Sequence, residues 1–207
     1  MINIIDNSFM TSLVDQLRHT GTEPAEFYRI TLLISQLLTY EALKGEEYEH
    51  KDIPMWTGDK YSASVFDQKK IVIMPILRAG IGMLDGARHL LPAAQVQILG
   101  MFRNEDTLQP VWYYNKLPKD MKDQHAILID PMLATGGTLV DAVLELKKHN
   151  CERITILAIV ASPEGIKRLE KEAPGVQVFV AAKDDHLNEN GYILPGLGDA
   201  GDRIFNT

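Results

Sequence analysis

Apolar and polar positions along the chain follow two rhythms. Near the start they recur every three to four residues: Phe9, Leu13, Val14 and Leu17 share one helical face, and Phe27, Ile30, Leu33, Ile34, Leu37 and Leu38 share another. Pro24 suits the first turn of that second helix. From residue 71 onward, short apolar runs alternate with helical stretches. The runs cover 71–74, 96–101, 126–129, 153–160 and 176–181 and read as strands, and the unbroken ones, 71–74 and 126–129, as strands buried on both faces. Helical patterns follow at 83–91, after Thr138 (Leu139, Val143, Leu144, Leu146), and after Ser162-Pro163-Glu164, where serine caps and proline fills the first turn. Such alternation predicts an α/β fold with a mainly parallel central sheet flanked by helices. Between the helical arm and this core, 53–56 and 61–66 surround Thr57-Gly58-Asp59-Lys60 as a β-hairpin.

Composition narrows the class. A chain of 207 residues, 45% hydrophobic and 24% charged, fits one globular domain over 1–207. No apolar run is long enough to span a membrane, and Met1-Ile2-Asn3-Ile4-Ile5-Asp6 lacks the basic start of a signal peptide, so a cytoplasmic protein is expected. The lone Cys151 reads as a small packed residue just past a helix end, and six scattered histidines offer no zinc spacing. A net charge of -7 argues against nonspecific nucleic-acid binding. Any anion site must be local.

The stretch with the clearest chemistry runs from Ala126 to Val143. Its apolar run ends abruptly in Asp130-Pro131-Met132-Leu133-Ala134-Thr135-Gly136-Gly137-Thr138, which opens a helix. Consecutive backbone amides, two hydroxyls and glycines at a helix start suit a phosphate. Asp130 prefers the opposite partner: a carboxylate accepts hydrogen bonds from sugar hydroxyls or approaches a hydrated metal. Together they suggest a ribose phosphate. The plainer reading, that the threonines cap a helix and the glycines make a turn, holds for any one of these residues but poorly for the ordered set. No Gly-Lys-Ser/Thr follows, which excludes a nucleoside triphosphatase loop. A second candidate anion loop, Pro75-Ile76-Leu77-Arg78-Ala79-Gly80-Ile81-Gly82, follows the run at 71–74, and Arg78 can offer a charge-assisted fork. The polar segment 103–124, with Trp112, Tyr113, Tyr114 and Lys116, has the length of a lid. The tail 188–207 holds four glycines in twenty residues, with little to build regular structure, and exposes backbone groups that suit the edge of a flat base.

These stretches resemble the uracil phosphoribosyltransferases, a branch of the type I phosphoribosyltransferases. Asp130 to Thr138 is similar to the family's phosphoribosyl-pyrophosphate loop. Pro75 to Met83, Gly100 to Leu108, and Gly191-Tyr192-Ile193-Leu194-Pro195-Gly196-Leu197-Gly198-Asp199-Ala200-Gly201-Asp202-Arg203 resemble further family stretches, over about 24–207 in all. The resemblance implies a type I fold with an N-terminal helical arm and a C-terminal glycine-rich hood, and formation of UMP and diphosphate from uracil and phosphoribosyl pyrophosphate in pyrimidine salvage. It implies Asp130, Arg103 and Asp199 as catalytic. Sugar-diphosphate contacts fall on Arg78, Arg103, Asp130, Pro131, Met132, Leu133, Ala134, Thr135, Gly136, Gly137, Thr138 and Asp199. Uracil contacts fall on Ile193, Gly198, Asp199 and Ala200. Magnesium (Mg2+) is implied through the diphosphate, with no direct protein ligand. A homodimer or higher homo-oligomer and a nucleotide effector such as GTP are implied as partners; nucleic acid and membrane are not.

The chain departs from the family in its N-terminal segment and at Trp112. Asn7-Ser8 and Ser12-Leu13-Val14 stand where relatives usually carry His-Pro and His-Lys-Leu, and Trp112 stands where proline is frequent; Pro131, usual in the uracil branch, leaves one carboxylate at the head of the loop where many type I relatives carry two adjacent acids. Two other readings stay open. A phosphoribosyltransferase-like RNA-binding regulator is disfavoured by the acidic balance, and a purine enzyme by the compact glycine-rich tail.

Overall fold

The computed structural model describes residues 1–103 and 110–207, with the backbone alone at Phe102, Arg103 and Pro110. The chain opens with a short strand, β1 (Ile2–Ile4), then helices α1 (Ser8–Arg18) and α2 (Pro24–Leu43). The hairpin of β2 (Glu49–Pro54) and β3 (Lys60–Val65) follows, then β4 (Ile71–Leu77), α3 (Ile81–Leu90), β5 (Gln95–Val96), β6 (Leu99–Arg103) and β7 (Pro110–Tyr114). The second half carries β8 (His125–Ile129), β9 (Met132–Leu133), α4 (Gly137–Lys148), β10 (Arg153–Ala161), α5 (Pro163–Glu172) and β11 (Gln177–Lys183). It ends in β12 (His186–Leu187), β13 (Ile193–Leu194) and α6 (Ala200–Phe205).

The central sheet has the order β1-β11-β10-β8-β4-β6-β7. Its pairings are parallel except that of β6 with β7. Because β8 and β4 lie inside it, Ala126, Ile127, Leu128 and Ile129 are fully buried, as are Ile71, Val72, Ile73 and Met74. Alternate strand residues serve two cores. Ile71, Ile73, Ile127 and Ile129 join Leu17 of α1, Phe27 and Ile34 of α2, Met83 of α3 and Ile204 of α6. Val72, Met74, Ala126 and Leu128 join Leu139, Val143 and Leu146 of α4 and Leu169 of α5. The three-layer α/β arrangement expected from the pattern is therefore present, and each helix buries one stripe.

Several local expectations are corrected. The strand at 96–101 is split at Gln97 and Ile98, and β1, read as part of a helical start, pairs in parallel with β11 at the sheet edge. Within the segment 103–124, residues 110–114 form β7 against β6, and Trp112 packs on the α4-side core. The expected lid in part lies outside the described residues. The tail is more regular than a coil: β12 and β13 form a small antiparallel hairpin, and α6 is helical. Cys151 is buried as expected, and burial pushes its thiol up. No helix among the described residues is long and apolar enough to cross a membrane.

Candidate active site

The first of three converging loops begins where β8 ends. Asp130 is half-buried, its amide is bonded to Leu157 O at 3.2 Å, and its Oδ1 accepts from Met132 N–H at 3.1 Å. Burial pushes its carboxyl up to about 6, against the single opposing hydrogen bond from Met132. Such a carboxylate is short of donors and readily takes hydroxyls or a cation. The short β9 ties Met132 and Leu133 to β10, which anchors the loop before it turns.

Gly136 makes the turn with φ +76°, a left-handed conformation that favours glycine, and it is the N-cap of α4. Neither threonine caps the helix by a side-chain hydrogen bond, so the plainer capping reading does not hold here. Among the described residues, the amides of Thr135, Gly136, Gly137 and Thr138 have no acceptor. Four free N–H groups at the positive end of a twelve-residue helix form an anion cradle. Ser162 supports it from behind: its Oγ donates to Ala134 O at 2.6 Å and accepts from Gly165 N–H at 2.9 Å. One residue thus caps α5 and holds the cradle's carbonyl side. The cap was legible in sequence; its second contact was not.

The second loop leaves β4. The Leu77–Arg78 peptide is cis, Gly80 N–H donates to Ile76 O at 2.9 Å, and the turn presses against the end of β8. A Cβ on Gly80 would lie 2.6 Å from Ile76 O and collide with Ile129 O, so glycine is required by close approach. Arg78 is exposed and its Nη2 donates to Asp202 Oδ1 at 2.8 Å.

The third loop is the tail. Ile193 is buried, Gly198 has φ +79°, and Ala200 is the first residue of α6. Asp199 caps α6, its Oδ1 accepting from Asp202 N–H at 3.0 Å. Among the described residues, Gly198 O has no donor and Ala200 N–H no acceptor. A Cβ placed on Gly201 would sit 3.6 Å from Arg78 Nη2 and 3.8 Å from Ala79 Cβ, which brings the tail to the second loop. The structure therefore gathers Asp130, the amides at 135–138, Arg78, Asp199, Gly198 and Ala200 at the C-terminal ends of β8 and β4. This is where open α/β sheets hold ligands. Arg103 ends β6 at the same edge, but its side chain lies outside the described residues. Among the described residues no cluster of three acid, histidine or cysteine side chains is placed to hold a metal ion.

Residues that the sequence reading passed over pin the tail from behind. Arg18 of α1 forks onto the buried Asp184, and Arg203 of α6 donates to Leu17 O, to Leu197 O at 2.8 Å and to His19 O at 2.7 Å. Arg203 also lies over the Phe27 ring, 4.3 Å from its centre.

The comparisons with known proteins agree with this geometry. The model of the family described as "Uracil phosphoribosyltransferase" matches residues 4–207. The solved AQ2163 protein from Aquifex aeolicus is 38% identical, with a TM-score of 0.94 over 99% of this chain and 98% of that one. A hypoxanthine phosphoribosyltransferase mutant from Trypanosoma cruzi, complexed with the product IMP, shares the fold alone. Its TM-score is 0.51 at 9% identity, over 77% of this chain and 75% of that one. Free amides at a strand end, an arginine-bearing loop beside them and a backbone-lined tail against that loop lie at one edge of the sheet, and this chain belongs to the uracil phosphoribosyltransferase family.

Proposed function

We propose that the protein transfers the phosphoribosyl group of phosphoribosyl pyrophosphate to uracil, giving UMP and diphosphate in pyrimidine salvage. The observation that carries the base assignment is the pair of unpartnered backbone groups in the tail, Gly198 O and Ala200 N–H. Uracil presents an N–H at position 3 and a carbonyl at position 4, which match an acceptor and a donor. Cytosine presents a bare nitrogen and an amino group and mismatches both, leaving two buried polar groups unpaired at about 1–3 kcal/mol each. Ile193 supplies an apolar wall.

In this reading the 5-phosphate sits on the amides of 134–138, flanked by Pro131, Met132 and Leu133, and Asp130 holds the ribose hydroxyls and orients C1. Arg78 and Arg103 take the diphosphate, and Arg78 exchanges Asp202 for it. Among the described residues the second oxygen of Asp130 has no partner, and it and Asp199 fit magnesium carried in on the diphosphate. The metal would neutralise charge gathering on the leaving group. The hairpin suggests a homo-oligomer: Ile53, Met55, Trp56 and Tyr61 are exposed on it, Trp56 to 96%. Sedimentation of Trp56→Ser should show a smaller species than wild type, and an unchanged mass would remove that assignment.

The test of the base is steady-state turnover of uracil, 5-fluorouracil and cytosine with phosphoribosyl pyrophosphate and magnesium. Uracil and 5-fluorouracil should react and cytosine be disfavoured by roughly 10⁴. Ala200→Pro is the sharp variant. Ala200 is the first residue of α6 and Asp199 before it is extended (φ -78°, ψ 108°), so proline fits the backbone and removes only the N–H. Full uracil affinity in that variant, or equal use of cytosine, would refute the assignment.

A further inference from the structure

Glycine-rich backbone has no side chains to hold its shape, yet base recognition by carbonyl and amide needs that shape fixed. Gly196 and Gly198 both adopt left-handed conformations, with φ +63° and +79°. What holds them comes from the N-terminal helix. Asp184, 1% exposed at the end of β11, accepts the Arg18 fork, with Arg18 Nη1 to Oδ2 at 2.9 Å. The same Oδ2 accepts from Gly196 N–H at 2.9 Å, and Arg18 Nη1 also donates to Gly196 O at 2.8 Å. Both backbone groups of Gly196 are therefore held by one ion pair whose carboxylate is buried, two residues before Gly198. Arg203 holds the next carbonyl, that of Leu197.

We propose that Arg18 and Asp184 are positioning residues for base recognition: through Gly196 they set the direction of the Gly198 carbonyl and the Ala200 amide. The identity of the base rests on the uracil reading; the geometry does not. α1 is thus part of the base site although it touches no base. A paired charge with two further hydrogen bonds makes a stiff support, because each bond is charge-assisted and the accepting carboxylate is buried.

Two variants test this. Arg18→Lys keeps the charge and loses the fork, and Asp184→Asn keeps the shape and loses the charge. Amide exchange on the substrate-free protein is measured first. Exchange over 196–200 should quicken about tenfold or more in each variant, while 135–138 stays as in wild type. Kinetics come second: KM for uracil should rise about tenfold with sugar-diphosphate affinity by calorimetry unchanged. A merely structural role would move both loops together and lower the active fraction without splitting the two affinities. Unchanged exchange at 196–200, or equal quickening in both loops, overturns the proposal. If wild type ignores uracil but exchange behaves as stated, the base assignment fails and the positioning role stands.

Discussion

The two ends of β8 treat polar groups in opposite ways. At its N-terminal end His125 is buried. Its Nε2 lies 2.8 Å from Thr155 Oγ1 and its Nδ1 2.8 Å from Glu46 Oε1 without hydrogen-bond geometry, and Arg153 donates to that same oxygen at 2.7 Å. Burial would raise the Glu46 carboxyl, but His125 and Arg153 outweigh it and hold it below the usual carboxylate range. Five residues along, Asp130 has one donor, and burial leaves it at about 6. One end pairs its charges with one another, leaving His125 Nδ1 and the neighbouring Gln124 Oε1 buried without a hydrogen bond; the other keeps a carboxylate and four amides in want of partners. An end that spends its polar groups on itself contributes stability, and an end that withholds them is built for a ligand at a cost in stability. The cavity of about 310 Å³ beside Glu46 and His125 lies at the satisfied end, away from the three loops.

The two ends should respond oppositely to pH. The folded pKa of Asp130 lies above its ordinary 3.8, so the native state holds the proton more tightly. Its contribution is most favourable below about pH 4 and declines as pH rises through about 6. Glu46 is depressed below 4.5, so its contribution is present above that pH and is lost as pH falls through the lower folded value.

Substitutions sharpen the contrast, beginning with the largest effect. Asp130→Asn should cut kcat/KM by roughly tenfold to a hundredfold, since a charge-assisted hydrogen bond contributes about 1.5–3 kcal/mol. Unchanged kinetics in a folded variant would end its assignment. Glu46→Gln should do the reverse, lowering stability by about 1–3 kcal/mol in urea titration with KM for both substrates unaltered. A loss of substrate affinity there would break the division between the ends. Ser162→Ala should have the smallest effect, about 1 kcal/mol of stability, because it removes a cap and the bond to Ala134 O. A modest rise in KM for the sugar diphosphate alone should accompany it, and a matching rise for the base would contradict the proposed split of roles.

The same contrast explains what could be read from sequence. The strand, acid, glycines and helix of 126–143 are local, so pattern and turn chemistry place them without knowing the fold, and the loop with Arg78 and Gly80 follows the same logic. What stayed hidden depends on distant partners. β1 is three residues long and becomes a strand only by pairing with β11. The Arg18–Asp184 pair spans 166 positions, and neither residue has a neighbour that marks it. α6 is six residues that pattern as tail and fold as helix because Asp199 caps them and Ile204 packs over Gly82. Glu46 sits in a charged run that reads as a solvated edge, yet only 10% of its side chain is exposed because His125 and Arg153 enclose it.

If the C-terminal end of β8 gives up stability to bind a sugar diphosphate, thermal unfolding of wild type and Asp130→Asn will show it. The scans are run at pH 5 and pH 8, with and without phosphoribosyl pyrophosphate and magnesium. Without ligand, Asp130→Asn should be the more stable at pH 8, by on the order of 3 kcal/mol, and the difference should shrink toward pH 5. With saturating ligand, wild type should gain stability and the variant gain much less. A variant that is less stable than wild type at pH 8 without ligand, or equally stabilised by ligand, would contradict the account.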